Sequence, residues 1–119
     1  MKYAFGNCTR LLENNISNFI TSNVIDMEGL FSYTNLYSID LRNFNTSQLK
    51  YMARMFYGCQ RLNSINLINF NTSNVFDYQD CFKGISDSGT LEINSSIFNK
   101  NITKELSNSW IIIDVNKKN

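Results

Sequence analysis

The sequence predicts an α/β repeat: a solenoid with a parallel sheet on one side, short helices on the other, and a C-terminal helix–strand cap. The first observation is a metre of phenylalanines. Phe5, Phe31, Phe56 and Phe82 fall 26, 25 and 26 residues apart, and Phe19, Phe44 and Phe70 follow the first three by 14, 13 and 14 residues. A fixed period in the twenties marks units that cannot bury their apolar faces alone and must stack. The second observation is a change of apolar spacing inside each period, from alternation to threes and fours. The third is a break in the pattern after Asn94, where a different kind of segment begins.

Taken in order, residues 1–94 hold the repeats and residues 95–119 the cap. Met1 aligns with Met52, so the first repeat is truncated and opens midway through a helical segment. Ile39-x-Leu41, Ile65-x-Leu67 and Leu91-x-Ile93 alternate with polar residues, as strands with one buried face do. Asn-Thr-Ser at residues 45–47 and 71–73 reads as a turn. Met52, Met55, Phe56 and Cys59 then follow i, i+3, i+4, i+7, the stripe of a short amphipathic helix. Asp26 and Asp77 stand just before such stripes, where a carboxylate can accept the orphan amides of a helix start. In the cap, Ser95-Ser96 precedes Ile97, Phe98, Ile102 and Leu106, which predicts a helix with serine near its start. Trp110 to Val115 reads as a strand, Lys117-Lys118-Asn119 as a frayed tail, and Phe98 and Trp110 have the bulk to cover the last repeat.

The copy from Phe44 to Phe70 carries the full consensus, with Thr46-Ser47, Leu49, Met52, Met55-Phe56, Cys59, Leu62, Ile65 and Leu67 in place. This combination closely resembles the leucine-rich repeats of BspA-type bacterial surface proteins, over about Phe5 to Asn94. Such repeats occur in large cell-surface proteins of gut, oral and mycoplasma-like bacteria and in some parasitic protists. The resemblance implies adhesion or partner binding, a host molecule among the partners it allows, and a cell-surface or secreted location. The N-terminus carries one basic residue but no apolar core of a signal peptide. Surface location is therefore inherited by resemblance alone, and a cytoplasmic one stays open.

Composition narrows the function classes. Eleven basic and ten acidic residues give a net charge of +1, spread along the chain. That is unlike the clustered basic face of a nucleic-acid binder. No apolar run approaches the ~18 residues of a membrane span. The N-x-S/T triplets at Asn7, Asn15, Asn45, Asn71, Asn94 and Asn101 are a by-product of an Asn- and Ser-rich composition. Histidine is absent, which removes His-activated nucleophiles and the commonest metal ligand. Neither a phosphate loop nor zinc-ligand cysteine spacing occurs, so neither an enzyme nor a cofactor or metal site is expected. Cys8 and Cys59 fill one slot two repeats apart, roughly 10 Å at a ~4.8 Å strand spacing, too far for a disulfide. Cys81 aligns with Leu30 and Met55 and reads as a small buried hydrophobe.

What remains is a surface. With Ile39 and Leu41 inward, Ser38, Asp40 and Arg42 face outward; the next repeat offers Ser64, Asn66 and Ile68, and the last Thr90, Glu92 and Asn94. The first would add Glu13, Asn15 and Ser17. A parallel stack lays these into polar, mixed-charge columns suited to a hydrogen-bonded protein or glycan partner. Arg42 beside Ile68 is the expected energetic centre. Asp40 and Glu92, two repeats apart across Asn66, could act as acid and base, but the simpler reading is solvated sheet-face carboxylates. Tyr33, Tyr37, Tyr51, Tyr57 and Phe76 are a second candidate if they cluster into one apolar patch. Two functions stay open: a binding module, or the C-terminal capping piece of a longer array with no site of its own. The unprotected first repeat predicts self-association.

Overall fold

The computed structural model describes residues 1–7, 16 and 18–117. Its framework is a four-stranded parallel sheet in chain order, formed by β1 (Ser38–Asp40), β2 (Ser64–Leu67), β3 (Gly89–Ile93) and β4 (Trp110–Asp114). Pairing sets Ile39 beside Ile65, Leu91 and Ile112, and Leu67 beside Ile93 and Asp114. The first three strands thus keep the expected alternation. Ile39, Ile65, Leu67, Leu91 and Ile93 are at most 2% exposed, while their neighbours face the other way. Parallel neighbours cannot be joined by a tight hairpin, so each crossover must travel behind the sheet, and there the core lies.

That far side corrects the expected helices. Met52, Met55, Phe56 and Cys59 are all fully buried, as the stripe demands, yet the backbone carrying them is a chain of turns. Among the described residues the only helix is a 3₁₀ helix at Lys100–Glu105. The reason lies in where the amides point. Leu30, Ser32 and Thr34 donate backward to the carbonyls of Met27, Gly29 and Phe31, closing turns, whereas Gly29, Phe31 and Tyr33 donate sideways to Ala53, Met55 and Tyr57 at 2.8–2.9 Å. Met52, Arg54, Phe56 and Gly58 repeat this onto Asp77, Gln79, Cys81 and Lys83. An α-helix would consume every amide within itself; here half of them hold the next segment. Asp26 and Asp77 accordingly cap no helix. Each forms a parallel bridge with Tyr51, and the Asp26 Oδ1 accepts the Glu28 amide at 2.9 Å.

The turns need the left-handed region at fixed places. Tyr3, Gly29, Arg54 and Asp80 form one file of positive φ, and Asn7, Tyr33, Gly58 and Gly84 a second. Both step with the phenylalanines. Only glycine enters this region without steric cost, which for other residues is roughly 1–2 kcal/mol. Arg54, at φ 55° and exposed, is a direct test. Arg54→Gly is expected to raise stability by about 0.5–1 kcal/mol, the relief being partly offset by unfolded-chain entropy. A denaturant midpoint that rises at unchanged slope checks it.

The phenylalanine file forms as a stack. Ring centroids of Phe5 and Phe31, Phe31 and Phe56, and Phe56 and Phe82 lie 5.6, 5.9 and 5.5 Å apart, with planes within 11° of parallel. Beside it runs a file of buried threonines that explains the Asn-Thr-Ser turn. Thr46 Oγ1 donates to the Asn71 carbonyl at 2.9 Å and accepts the Asn71 amide at 2.7 Å. Thr21 makes the same pair of bonds to Asn45, and Thr72 bonds the Ile97 carbonyl and the Asn99 amide. Asn45 and Asn71 in turn accept the amides of Ser47 and Ser73, fixing the bend.

At the C-terminal end the helix starts later than expected. Asn94 receives the amides of Ser96, Ile97 and Phe98, spending Ser95-Ser96 on a turn, and Asn99 caps the 3₁₀ helix by accepting the Asn101 amide. Phe98, Ile102 and Trp110 are buried over the last segment, and the indole Nε1 donates to the Ser86 carbonyl at 2.8 Å. Glu105 completes the closure. Its Oε1 accepts the Phe82 amide at 3.3 Å, the place that the Met55 and Cys81 carbonyls fill for Phe31 and Phe56. A side chain thus takes the place that a neighbouring backbone takes for Phe31 and Phe56, and partial desolvation there pushes the carboxyl above its ordinary range.

Candidate functional site on the sheet face

Six of the nine expected surface residues come together. The strand register lays Ser38, Ser64 and Thr90 in one outward column and Asp40, Asn66 and Glu92 in the next. Adjacent strands in a sheet are ~4.8 Å apart, so each column presents three side chains across about 10 Å. Arg42, Ile68 and Asn94 lie just beyond the strand ends, in the turns that follow. Glu13, Asn15, Ser17 and also Cys8 fall outside the described residues.

Much of the local chemistry is spent on ending the strands. Asp40 Oδ1 accepts the Arg42 amide at 3.0 Å, and Asn66 Oδ1 accepts the Ile68 amide at 3.1 Å. Each is a side-chain turn in which a short polar residue bonds its own backbone two residues on. Arg42 returns onto Asp40 with a fork, Nε at 3.0 Å from both carboxylate oxygens and Nη2 at 2.7 Å from Oδ2. That hydrogen bonding, with the guanidinium charge, holds the Asp40 carboxyl below its usual range. Asn69 Nδ2 donates to the Arg42 carbonyl at 3.0 Å, tying this corner to the next segment. Asn94 is turned toward Ser96, whose amide and hydroxyl it accepts at 3.0 and 2.7 Å.

Asp40 and Glu92 do share a column, separated by Asn66. Clefts of about 500 and 330 Å³ are lined by other residues, near the C-terminal end. Among the described residues no group of three or more His, Cys, Asp or Glu could hold a metal ion. Cys59 and Cys81 are free and buried. Burial pushes both thiols up. Cys59 Sγ donates to the Phe31 carbonyl at 3.0 Å, a bond between neighbouring segments that accounts for its slot.

The extra aromatics form local pairs. Tyr33 meets Tyr57 edge-on at 5.5 Å and Tyr51 meets Phe76 at 4.9 Å, while the Tyr37 hydroxyl accepts Arg61 Nη1 at 3.0 Å. Phe76, Tyr37 and Tyr33 stay more than half exposed.

Sequence reasoning missed the fourth member of each column. Ile111 pairs with Thr90 and Ile113 with Glu92, so the polar face ends in two exposed isoleucines. Three isoleucines in succession carry no alternation, and no pattern could say which of them faced outward. Behind them stands Asp114, whose side chain is only 5% exposed. Hydrogen bonds from Ser95, then the Asn116 amide, with Lys100 beside the other oxygen, hold its carboxyl well below the usual range against the opposing cost of burial. A carboxyl depressed on folding stabilises fully above its ordinary pKa, about 4, and the contribution is lost as pH falls through the folded value. Asp114→Asn should therefore flatten the fall of melting temperature below about pH 4. An unchanged acid limb would contradict this.

The fold and the face together define a small parallel-sheet protein that presents a flat polar surface with isoleucines at one end. Among the described residues no helix is long and apolar enough to cross a membrane. A family model described as "Mycoplasma protein of unknown function, DUF285" matches residues 1–117, and the chain belongs to that family. No curated protein and no solved structure matches it.

Proposed function

We propose that the chain is a non-enzymatic binding module, a short leucine-rich-repeat solenoid of the BspA-like type whose strand face engages a protein or glycan partner in adhesion or host interaction. The reading rests most on one observation, the register that aligns Ser38, Ser64 and Thr90 and then Asp40, Asn66 and Glu92 into columns. Parallel repeat stacks use such extended faces for recognition. A surface-exposed or secreted location goes with that role by resemblance. The test is capture of host extracellular proteins and glycans by the wild type and by alanine variants at Asp40, Arg42, Asn66 and Glu92. Arg42 and Asp40 hold each other, so either change should weaken capture by a similar factor; unchanged capture by all four variants rejects the strand face.

A second reading has its own support. Glu105, Phe98 and Trp110 close the last segment with side chains, as the terminal unit of a longer array requires. On that reading the chain contributes reach and solubility without a site. At the opposite end Ile20 is 90% exposed and Tyr3 44%, which supports self-association there. Mass in solution over a concentration series measures it.

A further inference from the structure

The C-terminal edge of the sheet is built unlike the rest. In the inward column Ile39, Ile65 and Leu91 are at most 2% exposed, yet Ile112, in the same register, is 37% exposed. In the next column Leu67 and Ile93 are followed by Asp114, a carboxylate at a core position. Its Oδ1 accepts the amides of Ser95 and Asn116 at 3.0 Å, while the buried Oδ2 has no hydrogen bond and faces Lys100 Nζ at 3.3 Å. Lys100, Thr103, Ile112, Ile113, Asp114 and Lys117 line a cavity of about 500 Å³. Lys100 is paired with that carboxylate, and Lys117 lines the same cavity. Contact with Lys100, as hydrogen-bond partner and as like charge, pushes the Lys117 amine below its ordinary range.

Among the described residues β4 lies at the end of the strand order, paired with β3 alone. Soluble proteins usually blunt such an edge with charged side chains, proline, a bulge or a charge pointing inward. Trp110-Ile-Ile-Ile-Asp114 holds neither lysine nor proline, its one charge is the inward Asp114 at the strand end, and all three isoleucines before it are exposed. We propose that the outer edge of β4 is a docking site for an extended acidic peptide segment of a partner protein. Its backbone pairs with β4, an apolar side chain covers Ile112, and its carboxylate sits between Lys100 and Lys117. Strand addition of this kind draws affinity from main-chain hydrogen bonds and specificity from alternate side chains. The charge complementarity decides the occupant. A second copy pairing through its own β4 would bring only Asp114, already engaged by Ser95, Asn116 and Lys100, and would leave the cationic excess unmatched.

The test uses the full chain and two labelled, end-blocked pentapeptides, one alternating valine with glutamate and the other valine with lysine. Fluorescence anisotropy is expected to show saturable binding of the glutamate peptide, at least about tenfold tighter than the lysine peptide and weakened by salt. Amide hydrogens of β4 should gain exchange protection in its presence. Lys117→Glu, at an exposed position, should abolish the preference while leaving the melting temperature nearly unchanged. Equal binding of the two peptides overturns the proposal, as does no saturation by the glutamate peptide at millimolar concentration. So does a dimer that Ile112→Lys dissociates and the glutamate peptide does not compete.

Discussion

Phe56→Ala is expected to be the most damaging single truncation in this chain, costing about 3–5 kcal/mol. Phe56 is wholly buried and stacks on Phe31 at 5.9 Å and on Phe82 at 5.5 Å. Removing its ring leaves a void in the middle of the file, and both neighbours lose a packing face. The site is poorly able to collapse. The Phe56 amide is tied to the Cys81 carbonyl and the Phe31 amide to the Met55 carbonyl, so the backbones cannot close in without breaking the ladder. A small domain has only about 5–15 kcal/mol in hand, and a loss of this size should lower the urea midpoint by roughly a fifth or more. Phe5→Ala, at the half-buried end of the file with one described segment beside it, should cost clearly less. Equal effects at Phe5 and Phe56 would mean that the stack is not the cooperative core.

Thr46→Val should come second, at about 2 kcal/mol despite near-identical shape. The Thr46 hydroxyl is at once donor to the Asn71 carbonyl and acceptor from the Asn71 amide. Valine fills the same space but leaves both backbone groups without a partner where water has little access. The penalty of an unmade bond exceeds the modest net gain of a made one. Thr46→Ser keeps the hydroxyl and loses only a methyl group, so it should retain most of the stability. Chemical denaturation of the three proteins decides it: a serine variant as weak as the valine one would assign the cost to packing and not to the hydroxyl.

These two expectations also show what the sequence made legible. The phenylalanine period, read with Ile39-x-Leu41, Ile65-x-Leu67 and Leu91-x-Ile93, was enough to place three strands side by side and to name the residues of both outward columns. Burial of Met52, Met55, Phe56 and Cys59 was legible too. Their secondary structure was not, because an i, i+3, i+4, i+7 stripe reports which side chains go inward and not where the amides go. The clue that would have excluded a helix is the left-handed residue at regular steps. Of the eight such positions among the described residues, only Gly29, Gly58 and Gly84 are glycine; Tyr3, Asn7, Tyr33, Arg54 and Asp80 hide the rest. The burial of Phe98 and Trp110 over the last segment was legible as well. Glu105 and Asp114 were not, since a carboxylate replacing a neighbour's carbonyl, or a core aliphatic, looks like any surface acid in one dimension. On the sheet face the columns were foreseen, but the closure of Arg42 onto Asp40 depends on a turn that composition does not reveal.

Amide chemical-shift mapping of a captured ligand is the most direct measurement of whether the outward columns are a recognition surface. Perturbations are expected at Ser64, Asn66, Thr90 and Glu92, with smaller ones at Asp40 and Arg42 as their ion pair adjusts. Perturbations confined to the turns that carry Tyr33, Tyr57 and Phe76, with the strands unchanged, would contradict the assignment and move the site to the opposite side of the molecule.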